Sequence, residues 1–339
     1  MTTKSTYTPN LPLLVTGAAG FVGARFVERC NGRGIRVISV DAPAYFRDRK
    51  EHLEHPGKVD FGTTVDREKL AEWLSAETAR AGGSPVAAIV HLGACTDTTE
   101  LDEVYLAKMN LEYSKMLWNW CAQNRVPFVY ASSAATYGAG ELGYDDDESL
   151  TAKLRPLNPY GESKRAFDEW ALGEEKRGNA PPNWAGFKFF NVYGFGETHK
   201  EKMASVILHS FRQIATTGGA KLFQSHKAGI AHGEQKRDFI FVEDVVDVLF
   251  FALEKPLHRG VYNLGTGQAR TFLDLARATF RAMGCPEKIE FIPTPESLRE
   301  RYQYFTEAKM GRLRDQGYTK PFTTLEDGVA AYIRRLLDR

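Results

Sequence analysis

The 339-residue chain is poor in cysteine, and its four thiols, Cys30, Cys95, Cys121 and Cys285, are scattered with no Cys-x-x-Cys pair. That spacing argues against a disulfide framework or a metal site and predicts buried thiols. An excess charge of either sign is also lacking: 44 Lys and Arg stand against 43 Asp and Glu, a net charge of +1. No global field then attracts nucleic acid or an anionic membrane, so any anion must be bound locally. No apolar run approaches the ~20 residues of a membrane helix, and residues 1–10 are polar, without the apolar core of a signal peptide. The expectation is a soluble cytoplasmic protein with no nucleic-acid or membrane partner. Internal repeats and low-complexity linkers are absent as well. What is there is an ordinary globular composition, 43% hydrophobic and 12% aromatic, on a chain long enough for one large domain or two fused ones.

The first readable unit is a strand, a glycine turn and a helix. Leu11 to Thr16 is apolar and ends in Gly17-Ala-Ala-Gly20-Phe-Val-Gly23, followed by the helical pattern Ala24 to Arg29. Glycines there allow a tight turn and close approach of the backbone to a pyrophosphate, whose charge then sits at the helix N-terminus. Ile35 to Val40 reads as a second buried strand that delivers Asp41, near the spacing at which an acid meets an adenosine ribose. Asp41 favours the free 2′-hydroxyl of NAD, whereas Arg47, Arg49 and Lys50 just beyond it suit the 2′-phosphate of NADP or a solvated loop face. The sequence carries both signals.

Asp66 to Ala81 has helical spacing, and Val86 to Val90 is a continuous apolar strand running into His91-Leu-Gly-Ala-Cys95. Small residues at the end of a parallel strand leave room for a cofactor. No second ligand is spaced to join His91 at a metal, so a packed histidine is predicted. Asp97-Thr-Thr-Glu100 reads as a helix-capping turn ahead of a helix over Glu103 to Asn124 that contains Asn110. Pro127 to Ala131 is the next strand, and it delivers Ser133, whose hydroxyl is suited to share a hydrogen bond with a substrate hydroxyl. Asn158-Pro-Tyr-Gly-Glu-Ser-Lys164 then opens a helix. Tyr160 and Lys164, four residues apart, share one face, and a nearby ammonium favours a phenolate that ordinarily forms only near pH ~10. Ala185 to Asn191 closes a Rossmann-like alternation of strands and helices. From Asn191 the chain turns to polar loops, the helix Met203 to Thr216, the short strand Lys221 to Phe223, the strand Phe239 to Val242 and the helices Asp244 to Leu253 and Phe272 to Met283. The class is α/β, a Rossmann-type parallel sheet with a smaller mixed α/β C-terminal substrate domain.

Together, Gly17-x-x-Gly20-x-x-Gly23, Ser133 and Tyr160-x-x-x-Lys164 resemble the extended short-chain dehydrogenases that modify nucleotide sugars. His91-x-Gly-Ala-Cys95-Thr-x-Thr-Thr, Tyr130 to Gly138, Phe190-Asn-Val-Tyr-Gly194, His199-Lys200-x-x-Met-Ala-Ser205 and Arg301-Tyr302-Gln resemble the ADP-glycero-manno-heptose 6-epimerases of lipopolysaccharide core synthesis. The resemblance implies Tyr160 and Lys200 as the two proton-exchanging residues, supported by Lys164 and Ser133. It implies cofactor contacts from the glycine turn with Phe21 and Val22, from Asp41, Arg67, Leu92, Gly93, Ala94, Cys95, Thr96, Asn110, Lys164, Val192 and Lys200. It implies contacts to an ADP-heptose substrate from Asn191, Lys202, His209, Phe223, Gln224, Ser225, His226, Arg237 and Tyr302. NADP is the cofactor implied, with NAD open because of Asp41, and a homo-oligomer, in this family a homopentamer, is implied as well. The implied division is a nucleotide-binding part over 1–190, 238–267 and about 303–316, with a substrate-binding part over 191–237, 268–302 and 317–339. A dehydratase on the same fold needs an acid to protonate the departing hydroxyl, and the strand-end positions that would hold it carry Ala134 and Ala135. A 4-epimerase and a non-catalytic cofactor-binding regulator are the other readings.

Overall fold

The computed structural model describes residues 10–49, 58–299 and 303–338; Lys50, Arg301 and Tyr302 lie outside them. The N-terminal half alternates strand and helix. β1 (Leu13–Thr16) leads to α1 (Phe21–Gly32), β2 (Val37–Asp41), α2 (Pro43–Asp48), β3 (Thr63–Asp66), α3 (Leu70–Ala81) and β4 (Ala88–His91). Then come α4 (Glu103–Leu106), α5 (Tyr113–Asn124), β5 (Phe128–Ser133), α6 (Pro159–Arg177) and β6 (Trp184–Phe189). The remainder runs β7 (Asn191–Tyr193), α7 (Val206–Thr217), β8 (Ala220–Phe223), β9 (Lys236–Phe241), α8 (Val242–Glu254), β10 (Gly260–Leu264), β11 (Ala269–Thr271), α9 (Phe272–Met283), β12 (Ile289–Ile292), α10 (Glu296–Arg299), α11 (Gly311–Asp315) and α12 (Leu325–Leu337).

Seven strands form one parallel sheet in the order β10-β6-β5-β4-β1-β2-β3. Successive side chains point to opposite faces, and both faces are apolar, so the sheet is covered twice. Leu13, Val15 and Val90 face Phe26, Val27 and Val245 of α1 and α8. Leu14, Ile89 and Phe128 face Leu74, Trp118 and Phe167 of α3, α5 and α6. The order reverses between β1 and β4, and ligands of open α/β sheets bind beyond the strand carboxyl ends at such a point.

The chain leaves this sheet at Phe190. Its N–H makes a last bond to the Leu264 carbonyl at 3.0 Å, and β7 pairs instead with β9 in a three-stranded sheet, β11-β9-β7. The strand expected to continue to Asn191 is therefore two strands in two sheets. α7, α9 and α12 pack around Tyr193 and Phe239 in a separate cluster, and β8 with β12 forms a further pair. Buried Asp238 ties the parts together by accepting from the backbone N–H groups of Thr266 (2.7 Å), Gly267 (2.9 Å) and Ala308 (3.0 Å).

Local departures from the sequence reading have local causes. β3 was not anticipated, because only Val65 of its four residues is buried. Lys236, Arg237 and Asp238 lie inside β9, not before it. Asp97 caps no helix: its carboxylate closes its own turn, accepting from the Thr99 N–H at 2.8 Å and hydroxyl at 2.6 Å. Asp102 is the helix cap, accepting from the Tyr105 N–H at 2.9 Å. Among the described residues no helix is long and apolar enough to cross a membrane.

Candidate active site

α6 begins as its sequence dictates. The Asn158 side chain accepts from the Gly161 N–H at 2.8 Å, Pro159 supplies a helical φ at a position with no required donor, and Gly178 at φ 78° ends the helix. Gly161 is what brings the first turn close to the end of β5. A Cβ there would lie 2.8 Å from the Ala135 carbonyl oxygen and 2.9 Å from Pro156 Cβ, distances real Cβ atoms do not tolerate. With that approach the Tyr160 hydroxyl lies near the Ser133 side chain, which favours its ionised form. Lys164 Nζ donates to the Ala131 carbonyl at 2.9 Å. Fully buried Asn110 lies in a π-helical turn, Ala107–Glu112, joining α4 to α5. Its side chain accepts from the Cys95 N–H at 2.8 Å and donates to the Cys95 carbonyl at 3.0 Å and to Ser163 Oγ at 2.9 Å. One amide thus locks the end of β4 to α6.

Electrostatics refines the sequence reading. Burial raises the Tyr160 hydroxyl above its ordinary value, and Ser133 offsets this only in part. Burial also lowers Lys164, to about 8, against the opposing pull of Asp168 and Cys95. Tyr160 is therefore a neutral phenol at pH 7 in the protein alone, and needs further positive charge beside it to ionise. His91 is packed as expected, with Nδ1 2.6 Å from Thr16 Oγ1 and Nε2 2.9 Å from Ser114 Oγ. Burial, with Lys164 nearby, drives its pKa to about 3 and keeps it neutral. Among the described residues no cluster of His, Cys, Asp and Glu is arranged to hold a metal.

The other half of the site lies at the topological switch. Gly17, at φ 66°, meets Gly93 so closely that a Cβ would lie 2.7 Å from Gly93 Cα. Gly93 N–H donates to Thr16 Oγ1 at 3.1 Å, so the ends of β1 and β4 make one backbone floor; Leu92, Ala94 and Cys95 beside it are half-buried and Thr96 is exposed. Asp41 uses one lone pair of each oxygen on backbone, accepting from the Ala19 N–H at 3.1 Å and the Ala42 N–H at 2.9 Å. Its remaining lone pairs are open to ribose hydroxyls. Burial raises its pKa, and the backbone bonds, Arg49 and Arg67 pull it back. Of the two described basic residues beyond β2, Arg47 is exposed and Arg49 is seated on the turn: it donates to the Ala19 carbonyl and stacks on Tyr45 at 3.8 Å. Glycine floor, α1 N-terminus and ribose-facing acid fit a dinucleotide.

Lys200 lies in a 3-10 segment, Thr198–Met203, with Nζ 5.6 Å from the ring centroid of Phe21 at the start of α1. Burial lowers its pKa, with Glu197 opposing the shift and Arg49 adding to it. Val192 is half-buried in β7, and Asn191 and Lys202 are exposed. His209 lies half-buried on α7. Phe223 ends β8, and Gln224 to His226 continue from it, with the Ser225 N–H donating to His232 Nδ1 at 3.0 Å and the His226 N–H to the Tyr304 hydroxyl at 3.0 Å. Arg237 is buried on β9 and donates to the Gln303 carbonyl, while the Gln303 amide donates to Gly138 at the end of the Ser133 turn. Direct bonds tie Asn110 to Cys95 and to Ser163 of α6, and Lys164 to Ala131 of β5. Of the described substrate set, Asn191, Phe223 and Arg237 lie on the two smaller sheets, Lys202 in the 3-10 segment and His209 on α7.

The model of the NAD dependent epimerase/dehydratase family matches residues 13–265. The chain belongs to this family. It is 44% identical over 333 residues to the curated ADP-L-glycero-D-manno-heptose-6-epimerase of Fusobacterium nucleatum, covering 96% of this chain and 98% of that one. A solved structure of the Helicobacter pylori ADP-L-glycero-D-manno-heptose-6-epimerase is similar with TM-score 0.74 and 25% identity, covering 98% of this chain and 97% of that one. MoeE5, solved with UDP-glucuronic acid and NAD, has TM-score 0.73 and 25% identity over 96% of this chain and 99% of that one.

For a member of the epimerase/dehydratase family, three buried charges here escaped the sequence reading. Asp168 is fully buried on α6 and Lys188 nearly so on β6. Glu197, also buried, accepts from the Ser205 N–H at 2.6 Å and hydroxyl at 2.5 Å, three residues before Lys200. Asp168 had a signal: it lies four residues beyond Lys164 and so on the Tyr160 face of the helix. Lys188 and Glu197 had none, since strand register and loop closure bring them in.

Proposed function

We propose that the chain inverts C6 of the heptose in ADP-D-glycero-D-manno-heptose to give ADP-L-glycero-D-manno-heptose, a precursor of the lipopolysaccharide core, with NADP as resident cofactor. The observation that carries the reading is the placing of Tyr160 and Lys164 one turn apart on the buried face of α6, with Lys164 Nζ bonded to the Ala131 carbonyl of β5 at 2.9 Å and Ser133 at the carboxyl end of that strand. The 44% identity to a named heptose epimerase supports the substrate.

The heptose C6 is not adjacent to a carbonyl, so its hydrogen is not acidic and a simple carbanion route is closed. Oxidation to a 6-ketone and reduction from the other face is the route that remains. The chemistry a bound nicotinamide supplies is reversible acceptance of the C6 hydride, together with positive charge in its oxidised form. Ser133 holds the sugar hydroxyl, and Tyr160 takes its proton and later returns one. Lys164, together with the positive charge a bound oxidised nicotinamide would add, would favour the ionised form of the tyrosine. Lys200, its pKa lowered toward neutrality, exchanges the proton for the opposite epimer. Asn191, Lys202, His209, Phe223 to His226 and Tyr302 contribute to the substrate part of the same proposal, and Arg237 suits the ADP phosphates because its fork spans two oxygens. The division of the chain into nucleotide- and substrate-binding parts, a cytoplasmic setting and a homo-oligomer, read out by mass in solution, belong to it too.

A substrate deuterated at C6 is expected to give product that keeps the label with no external cofactor consumed. Washout of deuterium into solvent would overturn the mechanism. The NADP preference rests on Arg49, seated on the glycine turn beside Asp41. Arg49→Ala is expected to weaken NADP binding roughly 10- to 100-fold, the worth of charge-assisted bonds to a phosphate, and to change NAD binding little. Equal losses for both nucleotides would instead place the 2′-phosphate elsewhere.

A further inference from the structure

We propose that Asp168, paired with Lys188 behind the site, is a positioning residue whose charge acts on Lys164 from the next turn of α6. The inference rests on the reading of Tyr160 and Lys164 as the proton-exchanging pair. Tyr160, Lys164 and Asp168 follow one another at four-residue steps down the buried face of α6. Asp168 is fully buried, with Oδ1 accepting from the Tyr130 hydroxyl at 2.9 Å and Oδ2 from the Ser132 hydroxyl at 2.7 Å. Lys188, in register with Ser132, brings its ammonium to 3.6 Å from Oδ2. The same ammonium donates to Thr136 Oγ1 at 3.0 Å and sits 4.5 Å over the Tyr137 ring.

β5 therefore serves two groups of α6 with consecutive residues. Tyr130 and Ser132 hold Asp168, and the Ala131 carbonyl between them holds Lys164. An architectural network needs no charge here, because an amide would accept from one of these hydroxyls and donate to the oxygen of the other. A carboxylate with no solvent exposure is costly, and what it adds over an amide is its field.

The groups around Lys164 define where that field acts. From β4 come His91, held neutral, and the Cys95 thiol, whose pKa is raised by burial. β5 contributes the Tyr130 hydroxyl, raised further by burial and by Asp168. β6 contributes Lys188, on which Asp146 and Glu148 also act. α6 contributes Tyr160 and Asp168. Against burial, Asp168 is the strongest influence holding Lys164 charged, and its negative charge also opposes ionisation of Tyr160.

Asp168→Asn removes that charge and lowers the pKa of both Lys164 and Tyr160. The phenolate forms at lower pH and the ammonium is lost at lower pH, so both limbs of the profile move the same way. The holoenzyme variant is expected to show its pH–kcat profile displaced toward acid by about one unit, the scale of a nearby charge. Lys188 is left unpaired in that variant, so Asp168→Asn with Lys188→Met is made as well; it removes the orphan ammonium and is expected to show the same displacement. A lowered melting temperature with an unmoved profile, or failure of both variants to fold, would reduce the pair to architecture and overturn the proposal. Tyr160→Phe separates the two levels. If it abolishes turnover while the Asp168 profiles stay in place, only this inference fails; if it retains turnover, the reading beneath it fails.

Discussion

Tyr160→Phe is expected to leave the fold and the bound nucleotide in place and to lower turnover by roughly 10³-fold, within the range of a positioned acid–base group. The ring is what packs: Tyr160 is buried, and its neighbour Gly161 sets the close approach to the β5 turn independently of the hydroxyl. The atom removed is the one whose ionisation Ser133 favours. Ser133 keeps its backbone partner, the Ala135 N–H at 3.1 Å, so the loss does not orphan a buried group. Steady-state kinetics on the holoenzyme, with bound nucleotide measured after extraction, checks both halves. A variant that retains near wild-type turnover would remove Tyr160 from the chemistry.

Gly23→Ala is expected to act on the nucleotide instead. A Cβ at position 23 would stand 2.0 Å from the Gly17 carbonyl oxygen and 3.0 Å from Ala18 Cα, so backbone in the turn must move. That turn is shared: Gly17 rests on Gly93, and Asp41 is held by the Ala19 N–H. Displacing it moves the floor, the helix N-terminus and the ribose acid together. Overpacking of this kind costs about 3 kcal/mol, and the nucleotide retained on purification is expected to fall tenfold or more. Gly83→Ala is the control, because a Cβ there meets nothing within 4 Å. A Gly23 variant that purifies with its full complement of nucleotide and the wild-type melting temperature would show that the turn is not the cradle.

Much of this arrangement was legible in the sequence because it is local. The glycine turn, the Asp41 strand end and the Asn158-Pro159 helix start each declare themselves within a few residues, and α9 matches its expected bounds because Thr271 and Asp274 form a capping box around it. Other features were hidden because their cause is distant. The break at Phe190 depends on which sheet receives β7, and β12 exists only because β8 offers it an edge. Asp97, read as a capping residue, and Asp102, which caps the helix, look alike in sequence and are told apart by which N–H each meets.

The sequence by itself determined the strand–helix alternation, the dinucleotide turn and the placing of Tyr160, Lys164 and Asp168 on one helix face, because helical and strand periodicities and glycine sterics operate between near neighbours. Only the tertiary structure decided that Arg49 is seated on the turn, that Asn110 locks Cys95 to α6, and that Lys188 meets Asp168. Those outcomes depend on sheet order, on the register that sets Ser132 beside Lys188 and on burial. Burial is also what turned the electrostatics, leaving Tyr160 protonated and bringing Lys164 down to about 8, since the cost of desolvating a charge depends on everything packed around it.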